Sequence, residues 1–476
     1  MLVVPVVEFF NYLFILYSGL IFITYVYIAF LSVLELRDYI NKNRFVDYTG
    51  MLSFDRLPAI SIIAPAYNEE RTIVDNIKCL LSLKYSDYDI IIVNDGSKDR
   101  TLELIIEEFD LIKSNIVYPV EIETAPVRGI YVSRNKAYNH LMIVDKENGG
   151  KSDALNAGLN LSQKELFLAI DVDSVVESDA LLRMVKPFID QQDRVVIASG
   201  GVVRVSNSCT VVHGRIEQVQ FPTNFWAQFQ VLEYFRAFTL GRMAWSKVNG
   251  LLLISGAFGL FDRKRAMIVG GYDTTTVGED LELVVRMRRY MHEVEKKKYK
   301  VAFIPDPLCW TEVPESVRVL SRQRNRWTRG AIETIRKHKK VLFNPRYGFI
   351  GMISFPYWVL FEWLAPIIQL TGTLYVILMA LLGLLNVKVF LIMLAFILSF
   401  MLMYTYFAIF YEAYTFNKYK GVNYLFKAYF MATIEVIIYQ PLNMLFSIDG
   451  NISAFFRRKK KNWGEMTRKG FEPTTK

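Results

Sequence analysis

Apolar residues are distributed along this chain in two ways, as long runs near both ends and as short bursts between them. Residues 9–34 are mostly Phe, Leu, Ile, Tyr and Val, and Glu35 and Arg37 are the first charges after them. About 20 apolar residues in a helix cross a bilayer, so residues 1–36 predict an N-terminal transmembrane helix. The run does not read as a cleaved leader, because no basic residue precedes it and no small-residue cleavage site follows. Residues 348–447 are again mostly apolar, in three segments, 349–385, 390–414 and 424–446. Between the two regions, residues 60–65, 90–94 and 166–170 predict short buried strands, and residues 69–83 predict a helix. This alternation over 56–345 predicts an α/β domain with a largely parallel sheet. The stretch 448–476 is too short for another domain.

Charge orients this arrangement. Arg37, Lys42 and Arg44 follow the first span and only Glu8 precedes it, which places the α/β domain in the cytosol. The net charge of +9 is concentrated partly in residues 296–298 and 457–461. Basic runs beside apolar spans predict contact with the anionic headgroups of a lipid bilayer rather than with nucleic acid. Three C-terminal crossings would carry 457–461 outside, against the positive-inside rule. Either 349–385, which contains Pro356 and Pro366, crosses twice, or one segment lies at the interface. The cysteines Cys79, Cys209 and Cys309 have no CxxC spacing, consistent with a reducing compartment, and four histidines argue against a histidine-built metal site.

The polar clusters of the middle region fall at strand ends, where open α/β sheets hold ligands. Asp171-Val172-Asp173 follows the strand at 166–170. In an extended chain residues i and i+2 point the same way, so the two carboxylates can share a divalent cation, and oxygen-only ligands favour Mg2+ or Mn2+. Asn94-Asp95-Gly96-Ser97 is an ordinary turn sequence, or else Asp95 accepts a hydrogen bond from a nucleotide base. Tyr67, before Asn68 and Glu69, offers a ring for stacking or for packing. Gly149-Gly150-Lys151 before the helical stretch 152–161 suits a phosphate as well as it suits a solvated turn. Gly278-Glu279-Asp280 opens a helical run, and its acids either complement the helix dipole or supply a general base. Gln323, Arg326 and Trp327 share a helix face, with an Arg able to clamp a pyrophosphate and a Trp able to stack on a sugar ring.

In this order these clusters resemble family 2 glycosyltransferases with a GT-A fold, a Rossmann-like α/β fold for nucleotide-diphospho-sugars. They are most similar to the processive membrane synthases of cellulose, chitin, hyaluronan and poly-N-acetylglucosamine. The resemblance implies that Tyr67, Glu69, Asp95, Lys151, Asp171, Asp173 and Arg326 bind a UDP-sugar donor, with Asp173 and Asp171 holding the metal. It implies that Asp280 is the catalytic base and that Gly256, Ala257, Glu279, Gln323 and Trp327 face the acceptor, a growing polysaccharide. Trp463, Thr467 and Arg468 in the basic tail resemble a gating loop, interrupted here by Glu465 and Met466. The implied reaction is a single inverting displacement giving a β-linked polymer, with UDP-N-acetylglucosamine favoured over UDP-glucose as donor. Four or more crossings of the cell membrane would form its exit path, and the sequence does not require a partner subunit. Two other readings remain: a non-processive enzyme that glycosylates a lipid, as ceramide glucosyltransferases do, and a transporter, for which Glu362 and Glu435 inside apolar segments would be the signal.

Overall fold

The computed structural model describes residues 3–54, 56–190, 193–212 and 215–456. Its strands are β1 (Ile60–Ala66), β2 (Tyr88–Asp95), β3 (Leu111–Ser114), β4 (Val127–Ser133), β5 (Leu141–Lys146), β6 (Leu166–Ile170), β7 (Val175–Val176), β8 (Val195–Val205), β9 (Thr210–Val212), β10 (Arg215–Gln218), β11 (Phe258–Asp262) and β12 (Tyr299–Thr311). The α-helices are α1 (Val3–Asn43), α2 (Ile73–Leu81), α3 (Thr101–Glu108), α4 (Lys151–Leu161), α5 (Ala180–Ile189), α6 (Phe225–Tyr234), α7 (Met243–Lys247), α8 (Arg263–Ile268), α9 (Glu279–Tyr290), α10 (Val317–Lys337), α11 (Phe355–Tyr357), α12 (Ala365–Leu381), α13 (Val387–Thr415), α14 (Val422–Ile437) and α15 (Tyr439–Phe456).

Ten strands form one sheet in the order β3-β4-β5-β2-β1-β6-β11-β8-β12-β7. β1 is buried at every position, as a strand covered on both faces must be, which is why its sequence is apolar but for Ser61, whose hydroxyl accepts from Ser162 at 2.8 Å. Parallel pairing joins β5, β2, β1 and β6, and separately β8 and β12. The expectation of a largely parallel sheet is corrected to a mixed one, because β11 lies antiparallel between β6 and β8 and both edges pair antiparallel. Antiparallel neighbours need no crossover helix, so the alternation of strands and helices gave no sign of them.

Two helices, Val7–Asn43 and Val387–Thr415, are long and apolar enough to cross a membrane. Two bent pairs pass the same test together: Ile350–Trp363 with Ala365–Leu381, broken by 44°, and Val422–Ile437 with Tyr439–Phe456, broken by 49°. Pro366 sits in the first turn of α12, where its missing N–H costs the helix nothing. A bend of 44° is not a reversal, so the two halves of 350–381 run on in one general direction. The second pair touches the α/β domain at both ends. Before it, Lys418 donates to Glu177 at 3.0 Å just beyond β7. At its far end, Asn325 of α10 donates to Asp449 at 2.6 Å and to Ser453 at 3.1 Å. Both ends of 422–456 therefore lie on the side of the sheet.

Candidate active site

The site is built at the C-terminal ends of β1, β2 and β6. Where β1 ends, Asn68 adopts a left-handed φ of 56°, which asparagine tolerates better than most residues. That turn lets the Asn68 N–H donate to Ser97 at 3.0 Å and its side chain accept from the Lys98 N–H at 2.8 Å. The turns after β1 and β2 are thus tied together, and the Glu69 N–H adds a bond to Thr101 at 2.8 Å. Tyr67 is half-buried beside this junction.

Asp95, at the end of β2, is fully buried. Its carboxylate accepts from Lys146 at 2.8 Å and from the backbone N–H groups of Gly149 and Gly150 at 2.9 and 2.8 Å. Lys146 also pairs with Asp153 at 2.5 Å. Asp95 therefore shapes the glycine turn that leads into α4. Gly150 needs its φ of 90° to bring Lys151 to the first position of α4.

Lys151 is where the clusters meet. Its ammonium lies 2.5 Å from Asp171, 3.8 Å from Glu279 and 3.3 Å from the carbonyl of Gly256. Burial opposes its charge, but Asp171, Glu279 and Asp280 outweigh burial and hold its pKa above the usual lysine value. The Glu279 pKa is raised as well, which for a carboxyl disfavours the charge: burial and the neighbouring Asp280 outweigh the pull of Lys151 and Arg326. The Gly256 N–H donates to Asp280 Oδ2 at 2.9 Å, and a side chain at 256 would crowd both Asp280 and Lys151 at 3.3 Å. Strand register explains the position of this loop. β11 pairs antiparallel with β6 through Phe258 and Ile170, which sets Ala257 beside Asp171, and the Asp171 N–H reaches the Ala257 carbonyl at 3.4 Å.

Asp171 to Ser174 is a turn, with the Ser174 N–H bonded to the Asp171 carbonyl at 2.9 Å, and not the extended chain expected from the sequence. The two carboxylates consequently differ: the Asp171 side chain is 27% exposed and Asp173 is buried at 6%. Their chemistry fits a hard divalent cation. Among the described residues no group of three or more His, Cys, Asp or Glu could hold a metal, so phosphate oxygens and water would complete the shell, as Mg2+ sites commonly require.

The second wall is α10. Gly278 and Gly330 let the entrance to α9 touch α10 backbone to backbone, and a Cβ at Gly278 would come within 2.8 Å of the Gly330 Cα. This contact fixes Glu279 and Asp280 against the helix that carries Gln323, Arg326 and Trp327. Gln323 Oε1 is buried without a hydrogen-bond partner, and Trp327 is 42% exposed. Asp153 and Gly330 were not singled out from sequence. Their partners Lys146 and Gly278 stood inside polar clusters, without a role of their own. Trp463, Thr467 and Arg468 lie outside the described residues.

A family model described as glycosyl transferase family 2 matches residues 61–248, and one described as glycosyl transferase family group 2 matches residues 166–411, more than half of the chain. The chain is 29% identical over 285 residues to the poly-beta-1,6-N-acetyl-D-glucosamine synthase of Staphylococcus aureus (strain COL), covering 60% of this chain and 57% of that protein. It is 28% identical over 313 residues to the protein of the same name from Staphylococcus epidermidis, covering 64% of each. The match thus spans less than two thirds of either relative. Among solved structures, the mannosyltransferase PcManGT of Pyrobaculum calidifontis, in complex with GDP-mannose and Mn2+, aligns with a TM-score of 0.53 at 17% identity, over 93% of this chain and 100% of that one. That likeness speaks to the fold.

Proposed function

We propose that this chain, which belongs to glycosyl transferase family group 2, polymerises a hexosamine from a UDP-sugar into a β-linked polysaccharide at a membrane. The chain is a glycosyltransferase with a GT-A-like mixed sheet. The observation that carries the finer reading is the convergence of Asp171, Glu279 and the Gly256 carbonyl on Lys151, with Asp280 bonded to the same loop. One cation, three carboxylates and two loop peptides meet in one place beyond the end of β6.

Each group has a separate task in this reading. Tyr67 and Asp95 hold the uracil, with Asp95 acting through the rigid glycine turn it organises. Glu69 supports the turn that carries Tyr67. Lys151, released from Asp171, and Arg326 meet the diphosphate and favour its departure. Asp173 and Asp171 would hold Mg2+ or Mn2+, which supplies further charge compensation for the leaving diphosphate when bound. Asp280 takes the proton of the attacking acceptor hydroxyl. Its carboxylate is aimed by the Gly256 N–H, which ties the base to the acceptor-side segment 256–257. Attack from the face opposite the diphosphate inverts the anomeric carbon. Gln323 and Trp327 receive the acceptor sugar, with Glu279 beside them.

The two ends of 422–456 support three crossings in all, the alternative in which one C-terminal segment lies at the interface. α1, the 350–381 pair and α13 cross, while α14 and α15 lie against the α/β domain. The end of α15 at Phe456 then stays on the cytosolic side with that domain.

The test is UDP release by the purified protein across a panel of UDP-sugars. The expected result is release from UDP-N-acetylglucosamine that stops on adding EDTA and returns with Mg2+ or Mn2+. Release that is unaffected by EDTA would remove the metal role of Asp171 and Asp173. No release from any UDP-sugar would remove the function.

A further inference from the structure

Trp327, half-exposed at the acceptor side, is not held by α10 alone. Three residues earlier, on an adjoining part of the same helix surface, Arg324 is 6% exposed, and its guanidinium carbon lies 4.2 Å from the centre of the indole. Arg324 is itself gripped from two other elements. Its two terminal nitrogens donate to the two carboxylate oxygens of Glu233, at the end of α6, at 2.7 and 2.8 Å. One of them also donates to the Tyr439 hydroxyl at 3.0 Å, and that hydroxyl donates to Glu233 at 2.7 Å, closing a triangle. Tyr439 is the first residue of α15, directly after the 49° break, and is fully buried.

We infer that Arg324 is a positioning residue for the acceptor: clamped by Glu233 and Tyr439, it covers one face of Trp327 and so presents the other to the terminal sugar. The inference rests on the acceptor role given to Trp327 above. A buried Arg–Glu pair is often structural and no more. Here the guanidinium does a second thing that a structural pair would not, since its carbon lies over a partly exposed ring beside the proposed active site. An unsupported surface tryptophan samples several rotamers, and a ligand that needs one of them binds more weakly by the fraction of time that rotamer is absent. Lysine keeps the charge but has neither the planar fork that Glu233 grips in two places nor the flat face that the indole rests on. None of the partners of Arg324 is a group assigned to the donor, so acceptor and donor binding should separate. The same triangle also makes the angle at the α14–α15 break a determinant of where the acceptor platform stands.

The experiment measures initial UDP release by full-length protein against a soluble β-linked N-acetylglucosamine oligosaccharide, and separately against donor. For Arg324→Lys, the acceptor KM should rise about tenfold while the donor KM stays within about twofold. Glu233→Gln should move the same way, and Tyr439→Phe, which removes one hydroxyl and leaves the packing, should raise the acceptor KM about threefold. If Arg324→Lys does not fold, Tyr439→Phe decides alone. An acceptor KM equal to wild type in the variants, or a fall in kcat with both KM values unchanged, overturns the inference and leaves the polymerase reading standing. Wild-type protein that releases no UDP overturns the polymerase reading, and this inference falls with it.

Discussion

Asp280→Asn is expected to lower sugar transfer about a thousandfold while UDP still binds with nearly wild-type affinity. The substitution keeps the shape of the side chain, and the amide oxygen can still accept from the Gly256 N–H that bonds Oδ2 at 2.9 Å. What it loses is the ability to take a proton. The attacking hydroxyl is then as poor a nucleophile as in water, and the loss falls on kcat. Asparagine also removes a negative charge near Lys151, whose raised pKa depends in part on Asp280. Asp171 and Glu279 remain beside that ammonium, so it stays protonated at neutral pH and the donor side is preserved. Calorimetry with UDP and a transfer assay on the same preparation check both halves. Transfer at the wild-type rate would remove Asp280 from the role of base, and a loss of UDP binding equal to the loss of rate would make it a structural residue.

Glu412→Ala should destabilise the protein by about 3–5 kcal/mol, the largest stability effect we expect from one side chain. Glu412 lies near the end of α13 and Arg204 lies on β8; they are ion-paired, 3% and 1% exposed. Thr239, in the π-helical turn after α6, donates to the same carboxylate at 3.2 Å. The pair joins an apolar span to the central sheet. Removing the carboxylate strands the Arg204 guanidinium in a site that water does not reach. A charge left alone there costs far more than the pair contributes. The double change Arg204→Met with Glu412→Leu should therefore recover most of the loss. Thermal unfolding in detergent measures both. A single variant that melts with the wild type would show that the pair does not dock α13.

Where local periodicity or a turn residue decides the structure, the sequence was legible. The strands expected at 60–65, 90–94 and 166–170 appear as Ile60–Ala66, Tyr88–Asp95 and Leu166–Ile170, and the helix expected at 152–161 begins one residue earlier at Lys151. Continuous apolar strands between polar turns leave few alternatives. The site clusters could be listed from sequence, but not their meeting on one lysine. The chain separation between Lys151 and Glu279 is bridged by the antiparallel insertion of β11 and by the buried bonds of Asn156 to Tyr272, which no periodicity announces. The turn at Asp171–Ser174 was missed because the short strand before it invited an extended continuation. The docking of α14 was equally hidden. It depends on ion pairs such as Arg236 with Glu435, nearly 200 residues apart (|i−j| = 199), and an acid within an apolar helix shows no partner until the fold supplies one.

The central claim is polymerisation, and the size of the product tests it most directly. Purified protein is supplied with labelled UDP-N-acetylglucosamine in lipid nanodiscs, and the product is sized after the UDP has been removed. The account predicts long β-linked chains formed while most acceptors remain unextended. A product that stops at one sugar on a lipid would contradict it.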